Sequence, residues 1–460
     1  AVGHAAGVAV TTGIYNTLIG GLAGDSLTIG NSNVAVGMLA LSASVDGDYN
    51  TAVGYQSLKN YEDGDGDGNN TAVGANSQAA ATTGEFNTSL GSLSMGVGVT
   101  TGNLNVAIGY RAGEDLTSGG QNTIIGAYAA YNLADGTLNT ALGYGALATS
   151  VDGDKNTAIG YLALEDYEGG DGEGHNTAVG NKSQLNATTG EFNTSLGSLS
   201  MGVGVTTGDN NVALGYTAGE DLTSGHSSVL IGSGAGQQLT TGIKNVAVGA
   251  LALNAENAHG LNVAVGYAAL YVLDAGVDGY NAAVGYQSGV TMTTGVNNTL
   301  VGGQSGNSLT TGSDNVAIGR EALVTEDTGG RNTAIGRSAL ATLNYNGNGY
   351  NTAVGYAAGT AMTTGTANTL IGGLAGDALT TGHSNVAIGY AALSSEDEHG
   401  GNVAIGKDAL TVQNAGAHAY NVAVGHNAGA AVTTGVQNTI IGGLAGDALT
   451  TGGSNVAIGY

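Results

Sequence analysis

Small apolar and large apolar residues alternate over five positions, N-[TV]-x-[VIL]-G, and the pattern returns along the whole chain. "NVAIG" stands at 385–389 and again at 402–406. With its glycine as a register mark there are 27 copies from Gly3 to Gly459, most of them 17 residues apart and the others 18 to 20. Alternation with a period of two is strand behaviour, and it sets the residue two before the glycine on the opposite side from its neighbours. The position immediately before the glycine is Val, Ile or Leu in all 27 copies, which assigns that side chain to a core. A second apolar stretch follows, as in "YAAL" or "AGDALT", and then a glycine turn such as Thr380-Thr381-Gly382. Strand, turn, strand, turn in 17 residues predicts one coil of a parallel β-solenoid, a β-roll, running continuously over 1–460. Helical repeats need longer units without interior glycine.

Stacked coils would lie about 4.8 Å apart, so 27 of them predict a rod of roughly 130 Å. The asparagine that opens each motif, for example Asn33, Asn105, Asn245, Asn315, Asn385 and Asn455, is expected to form a structural ladder with Gly37, Gly109, Gly249, Gly319, Gly389 and Gly459. Ser228 takes its place once. A longer period is superimposed: "VDGDYNTAVGYQSL" from Val45 returns as "VDGDKNTAIGYLAL" from Val151, and later the long interval recurs every 70 residues. Such superrepeats point to growth by duplication. Because "AVGH" at the start and "NVAIGY" at the end both fall inside the repeat, the sequence reads as a segment of a longer array.

Bulk composition narrows the picture further. There are 85 glycines, two phenylalanines and no proline, cysteine or tryptophan among 460 residues, so any core is thin and made of Ala, Val, Ile and Leu. A collagen would need proline and glycine at every third position, and a disordered chain would lack the 42% hydrophobic content. A net charge of −26 argues against nucleic acid and anionic membrane surfaces as partners. The sequence contains no apolar run of membrane-spanning length. At two before the glycine most copies carry Ala or Ser, but six carry Leu18, Ile124, Leu230, Leu300, Leu370 or Ile440, and in those six the residue after the glycine is Gly, Ala or Ser rather than Tyr. This suggests bulk traded between nearby sites on an outward face, and through it a surface buried by a neighbouring chain.

The motif "NVAIGY" with a following "AAL" resembles the head repeats of YadA-like trimeric autotransporter adhesins, and "NTAVGYQSL" is similar to repeats in bacteriophage tail-fibre proteins. The resemblance spans the chain. It implies a left-handed parallel β-roll, self-association as a homotrimer or filament, display at a cell surface or outside the cell, and attachment to a host receptor or matrix. The alternative it offers is a virion tail.

The richest candidate for chemistry is acidic. Asp46, Asp48, Asp63, Asp65 and Asp67 would stack, with Asp152, Asp154, Asp171 and Glu173 as a weaker echo. Carboxylates about 4.8 Å apart repel by roughly 0.9 kcal/mol even in water and invite Ca²⁺, although a solvated acidic loop explains them more simply. "VLIGSGAGQ" from Val229 has Gln237 where a dinucleotide loop needs its third glycine. The eight histidines show no metal-ligand spacing, and no Ser, His and Asp set recurs in register, so no enzyme is expected. Thr pairs at turns (Thr100-Thr101, Thr206-Thr207, Thr310-Thr311) raise an ice-binding face as a minor reading.

Overall fold

The computed structural model describes residues 1–62, 67–169 and 174–460. It is an all-β solenoid with 26 three-residue strands, all parallel, and no helix among the described residues. Contacts divide the chain into two units, Ala1–Ser228 and Val229–Tyr460. In the first, the strands from Thr17–Ile19 to Val212–Leu214 each pair with the next in sequence. In the second, those from Val229–Ile231 to Val456–Ile458 do the same. Equivalent residues lie over one another: Val34, Ala35 and Val36 pair with Thr51, Ala52 and Val53, and Val386, Ala387 and Ile388 with Val403, Ala404 and Ile405. The earliest motif contributes only a bridge, from Val2 to Ile19.

Each coil contains one strand, not two. The second apolar stretch is a chain of turns in which residues two and four after the register glycine take positive φ, as at Leu39 (62°) and Leu41 (53°). A left-handed conformation costs an L-residue about 1–2 kcal/mol. It is held here because the alternation sends successive amides to opposite neighbours: Leu39 N–H donates to Gly21 O in the coil before, at 3.0 Å, and Leu41 N–H to Ser57 O in the coil after, at 3.0 Å. The backbone stays paired without extended geometry, and the coil closes in fewer residues than a second strand would require.

The strand faces are the reverse of the sequence expectation. In every strand but the last the central residue is buried, while the Val, Ile or Leu before the register glycine is half-buried or exposed, as with Ile19 at 43%. The core contains the small residue: Ala35, Ala52, Ala387 and Ala404 are fully buried, together with leucines such as Leu41, Leu58 and Leu393 four positions after the glycine. The interior is too narrow for two large residues facing each other across the coil. Where the strand carries Leu370, both the same coil and the one before carry glycine at the facing site. A Cβ on Gly376 or Gly359 would come within 2.8 or 2.7 Å of Leu370. Leu300 stands likewise between Gly289 and Gly306, and Leu18 between Gly7 and Gly24. Bulk is therefore traded inside, with the position four after the register glycine. The position directly after the register glycine, which Tyr often fills, lies away from this contact: a Cβ on Gly21 or Gly303 would meet nothing within 4 Å.

Buried asparagines tie the layers. Asn368 Oδ1 accepts the Asn385 N–H at 2.9 Å, and its Nδ2 donates to Gly382 O at 2.8 Å. The same pair of bonds recurs at Asn33, whose Oδ1 takes the Asn50 N–H at 2.8 Å and whose Nδ2 reaches Gly47 O at 2.6 Å. The register glycine permits this spacing. Gly389 has φ +134°, and a Cβ there would lie 2.5 Å from Gly406 O.

Gly389→Ala is accordingly expected to cost about 3 kcal/mol or more, since it combines a backbone clash with a disfavoured φ. Gly303→Ala, where added bulk meets nothing within 4 Å, should stay within about 0.5 kcal/mol of the parent. Urea midpoints of the two variants check the contrast. Asn368→Ala leaves a buried N–H and a buried carbonyl unpaired and should lose about 2–4 kcal/mol, with hydrogen-exchange protection falling first at the Asn385 amide.

Candidate functional site

The seventh residue after the register glycine points into the corner of the coil. It is most often apolar there, as Leu239, Leu273, Met292, Leu309, Leu343 or Leu379. Three coils put a carboxylate in that place. Glu256, Glu326 and Glu396 are each 0% exposed and stand 70 residues apart, one per superrepeat. A buried carboxylate is costly unless it is hydrogen-bonded, protonated or paired with a cation.

The three are treated differently. Glu326 Oε1 accepts the Gly329 N–H at 2.8 Å and Oε2 the Tyr345 N–H at 3.3 Å. At the other two coils a histidine replaces that glycine. His259 donates its N–H to Glu256 Oε1 at 3.2 Å and sets its Nδ1 3.5 Å from the same oxygen, with Asp274 Oδ1 3.9 Å from Nδ1 on the solvent side. His399 donates its N–H to Glu396 Oε1 at 3.3 Å, again with Nδ1 at 3.5 Å. The donor groups of Glu256, His259 and Asp274 lie within 4.8 Å of one another, as do those of Glu396, Asp397 and His399. Both Nδ1 atoms are buried without a hydrogen-bond partner. Glu256 Oε2 is buried as well, with the Ala275 amide beside the carboxylate. Glu396 Oε2 instead takes a bond at 3.3 Å from Gln413 Nε2, which also reaches Asn402 Oδ1 at 3.1 Å.

Burial raises the pKa of all three glutamates. For Glu256 desolvation outweighs the favourable His259 and Ala275 amides and lifts the carboxyl to about 7. Glu326 and Glu396 move in the same direction, with burial the largest cause and backbone amides opposing it.

The acidic residues singled out from sequence lie elsewhere. Asp46 is half-buried, Asp67 is exposed, and Asp63, Asp65, Asp171 and Glu173 fall outside the described residues. Asp48 Oδ1 accepts the Asn31 N–H, and its counterpart Asp154 accepts the Thr137 N–H at 2.6 Å and Oγ1 at 3.0 Å, so both cap a neighbouring coil. Asp152 is half-buried. The ladder residues Asn33, Asn105, Asn245, Asn315 and Asn385 are fully buried, and Asn455, in the last strand's coil, is exposed. Gly37, Gly109, Gly249, Gly319 and Gly389 each lie against the next register glycine, while a Cβ on Gly459 would meet nothing. In the stretch from Val229 to Gln237, Gly236 packs on Leu230, as a solenoid turn does. Thr100 and Thr206 are buried and donate inward to Leu116 O and Leu222 O, each at 3.1 Å, so those pairs do not present two hydroxyls on one face.

Sequence reasoning missed the Glu and His sets because "SEDEHG" reads as a solvated acidic run. The available signal was positional: Glu256, Glu326 and Glu396 occupy the slot that leucine holds in neighbouring coils. In comparisons with known proteins the chain matches no family model, and a search of curated proteins finds no match.

The pH dependence follows from the direction of the shifts. A carboxyl whose folded pKa lies above its unfolded value stabilises the fold fully below the unfolded pKa, and that contribution is lost as pH rises through the folded one. The melting temperature of the parent should therefore fall on going from pH 4.5 towards neutrality. Glu326→Gln, which removes one of these groups, should make that fall shallower, as measured by calorimetry at a series of pH values.

Proposed function

We propose that the chain is a structural and adhesive element of a surface adhesin or extracellular filament, and that it works by associating with further copies of itself. One observation carries this reading. In each unit the outward strand positions form two continuous columns, Thr or Val in one and Val, Ile or Leu in the other. Ala282 is the single exception, and neither column contains a charge among the described strands. Tyrosines flank the columns and are exposed, among them Tyr55, Tyr216, Tyr356 and Tyr390, with Tyr144 over Tyr161 and Tyr267 over Tyr286 stacked at 5.6 Å. On a chain of net charge −26, a face without charge is where two copies can meet without repulsion. Burying such columns gains about 25 cal/mol per Å² of apolar surface, and the register that stacks coils within a chain repeats the same surface along it.

The resemblance to trimeric adhesin heads supports the same reading and adds attachment to a host surface or matrix as the task. The buried hydroxyls of Ser77 and Ser89 are satisfied by each other and by Gln78 Nε2, which offers no base.

Light scattering with negative-stain images of the same fraction tests the reading. The expected mass is a multiple of the chain, three being the number the resemblance implies. Ile371→Lys/Ile388→Lys/Ile405→Lys, three successive outward positions, should reduce it to a single chain with an unchanged β-sheet circular dichroism spectrum. A parent that is a single chain at the highest attainable concentration overturns the proposal, as does a triple variant with the parent's mass.

A further inference from the structure

We infer that the Glu256, His259 and Asp274 cluster, and its counterpart at Glu396, Asp397 and His399, are binding sites for a divalent transition-metal cation of the zinc class. His259 Nδ1 is buried without a hydrogen-bond partner and faces Oε1 of the fully buried Glu256 at 3.5 Å. His399 Nδ1 is unpaired in the same way, also 3.5 Å from its glutamate. A proton shared between a ring nitrogen and a carboxylate draws them to about 2.8 Å. Two ligands of a tetrahedral Zn²⁺, each about 2.0–2.2 Å from the ion, stand roughly 3.4 Å apart instead. The observed 3.5 Å fits the second case, and Asp274 Oδ1, 3.9 Å from Nδ1 and on an exposed side chain, can close in by a small rotation.

The donor set also suits the ion. One imidazole with two carboxylates is nitrogen and oxygen ligation, which favours zinc and its neighbours over calcium, whose sites are built from six or more oxygens. Burial on one side and solvent on the other leave the fourth position open to water. The third glutamate is an internal control. At Glu326 glycine replaces the histidine, and both carboxylate oxygens are taken by backbone amides, so no metal is expected there. Duplication has thus kept the buried carboxylate in three successive superrepeats and the histidine in the first and third. Such an ion would hold the turn at 256–259 to the next coil at Asp274, and at the second site would pin the turn 396–399.

Near the second site His418 accepts the Gly400 N–H on Nδ1 at 3.1 Å, and its ring lies 4.9 Å from that of His383. These imidazoles are the competing ligands that the experiment must separate.

The test is isothermal titration of metal-stripped full chain with ZnCl₂, alongside competition against a chromophoric chelator. Two ions per chain are expected, one for His259→Gln, none for His259→Gln/His399→Gln, and two for Glu326→Gln. Circular dichroism verifies that each variant keeps its β signal, and the ¹⁵N imidazole shifts of His259 and His399 in the unmutated chain, moving on zinc addition at Nδ1, give a readout that needs no variant. Absence of binding to the parent overturns the assignment. So does a double variant that still binds two ions, or one whose remaining ion moves the His383 and His418 resonances. An ion taken up by the parent with the Nδ1 shifts of His259 and His399 unmoved would likewise place the metal elsewhere and refute it.

Discussion

Successive coils touch backbone to backbone at the register glycine, and the rest of the structure depends on that contact. A methyl group at Gly37 would sit 2.3 Å from Gly54 O, and the same clash recurs along both units. The glycine also carries φ near +140°, which turns the chain out of the strand at once and limits each strand to three residues. With the layers at this fixed separation, one asparagine side chain spans from its own coil to the next, taking an amide on one oxygen and giving its Nδ2 to a turn carbonyl. Close approach, short strand and buried amide ladder are therefore one device. Each would be useless at a different layer spacing.

Much of this was legible in the sequence. The 17-residue interval, the period-two alternation and the invariant glycine are enough to require a stack of short parallel strands, because only stacked identical units make one spacing serve for so many copies. The orientation of the strand was not legible. Alternation says that neighbours face opposite ways, and here both faces are apolar, so a rule that sends the largest aliphatic residue inward chose the wrong face. The interior is only wide enough for alanine opposite leucine, and the large residues stand outside, half-shielded by their counterparts in adjacent coils. The correct cue was present in "LIGGLAG", where Leu370 and Gly376 change together. Residues on opposite faces have no volume to trade, so that covariation belongs to one shared interior.

The second strand was lost for a different reason. Its positions hold Leu, Gln, Tyr and Ser, residues with no preference for positive φ, and their left-handed geometry is imposed by the need to pair every amide between layers. Local propensity is overridden by the stack, and no local reading of "YAAL" could reveal it. The glutamates were hidden similarly. Composition counts them among 35 acidic residues, yet among the described residues Glu256, Glu326 and Glu396 are the acidic side chains with no exposure at all, and their register against leucine is what marks them.

That register shows where such a fold can vary. Two before the glycine the described strands admit only Leu, Ile, Ala or Ser, because the opposing wall is close. Seven after it the corner widens, and the coils carry residues from Gly and Ala through Val, Leu and Met to Ser, Gln, Glu and Tyr. Tyr61 and Tyr167 occupy it in the two 20-residue coils, and burial together with Glu191 and Asp209 pushes the Tyr167 hydroxyl up to about 12. A buried amide at Gln413, a buried phenol and a buried carboxylate beside an imidazole are all variations at one corner. The opposite wall, fixed by alanine, asparagine and glycine, keeps the layer spacing constant whatever the corner holds. Duplication can therefore lengthen the array without disturbing the frame and change its chemistry without changing its pitch.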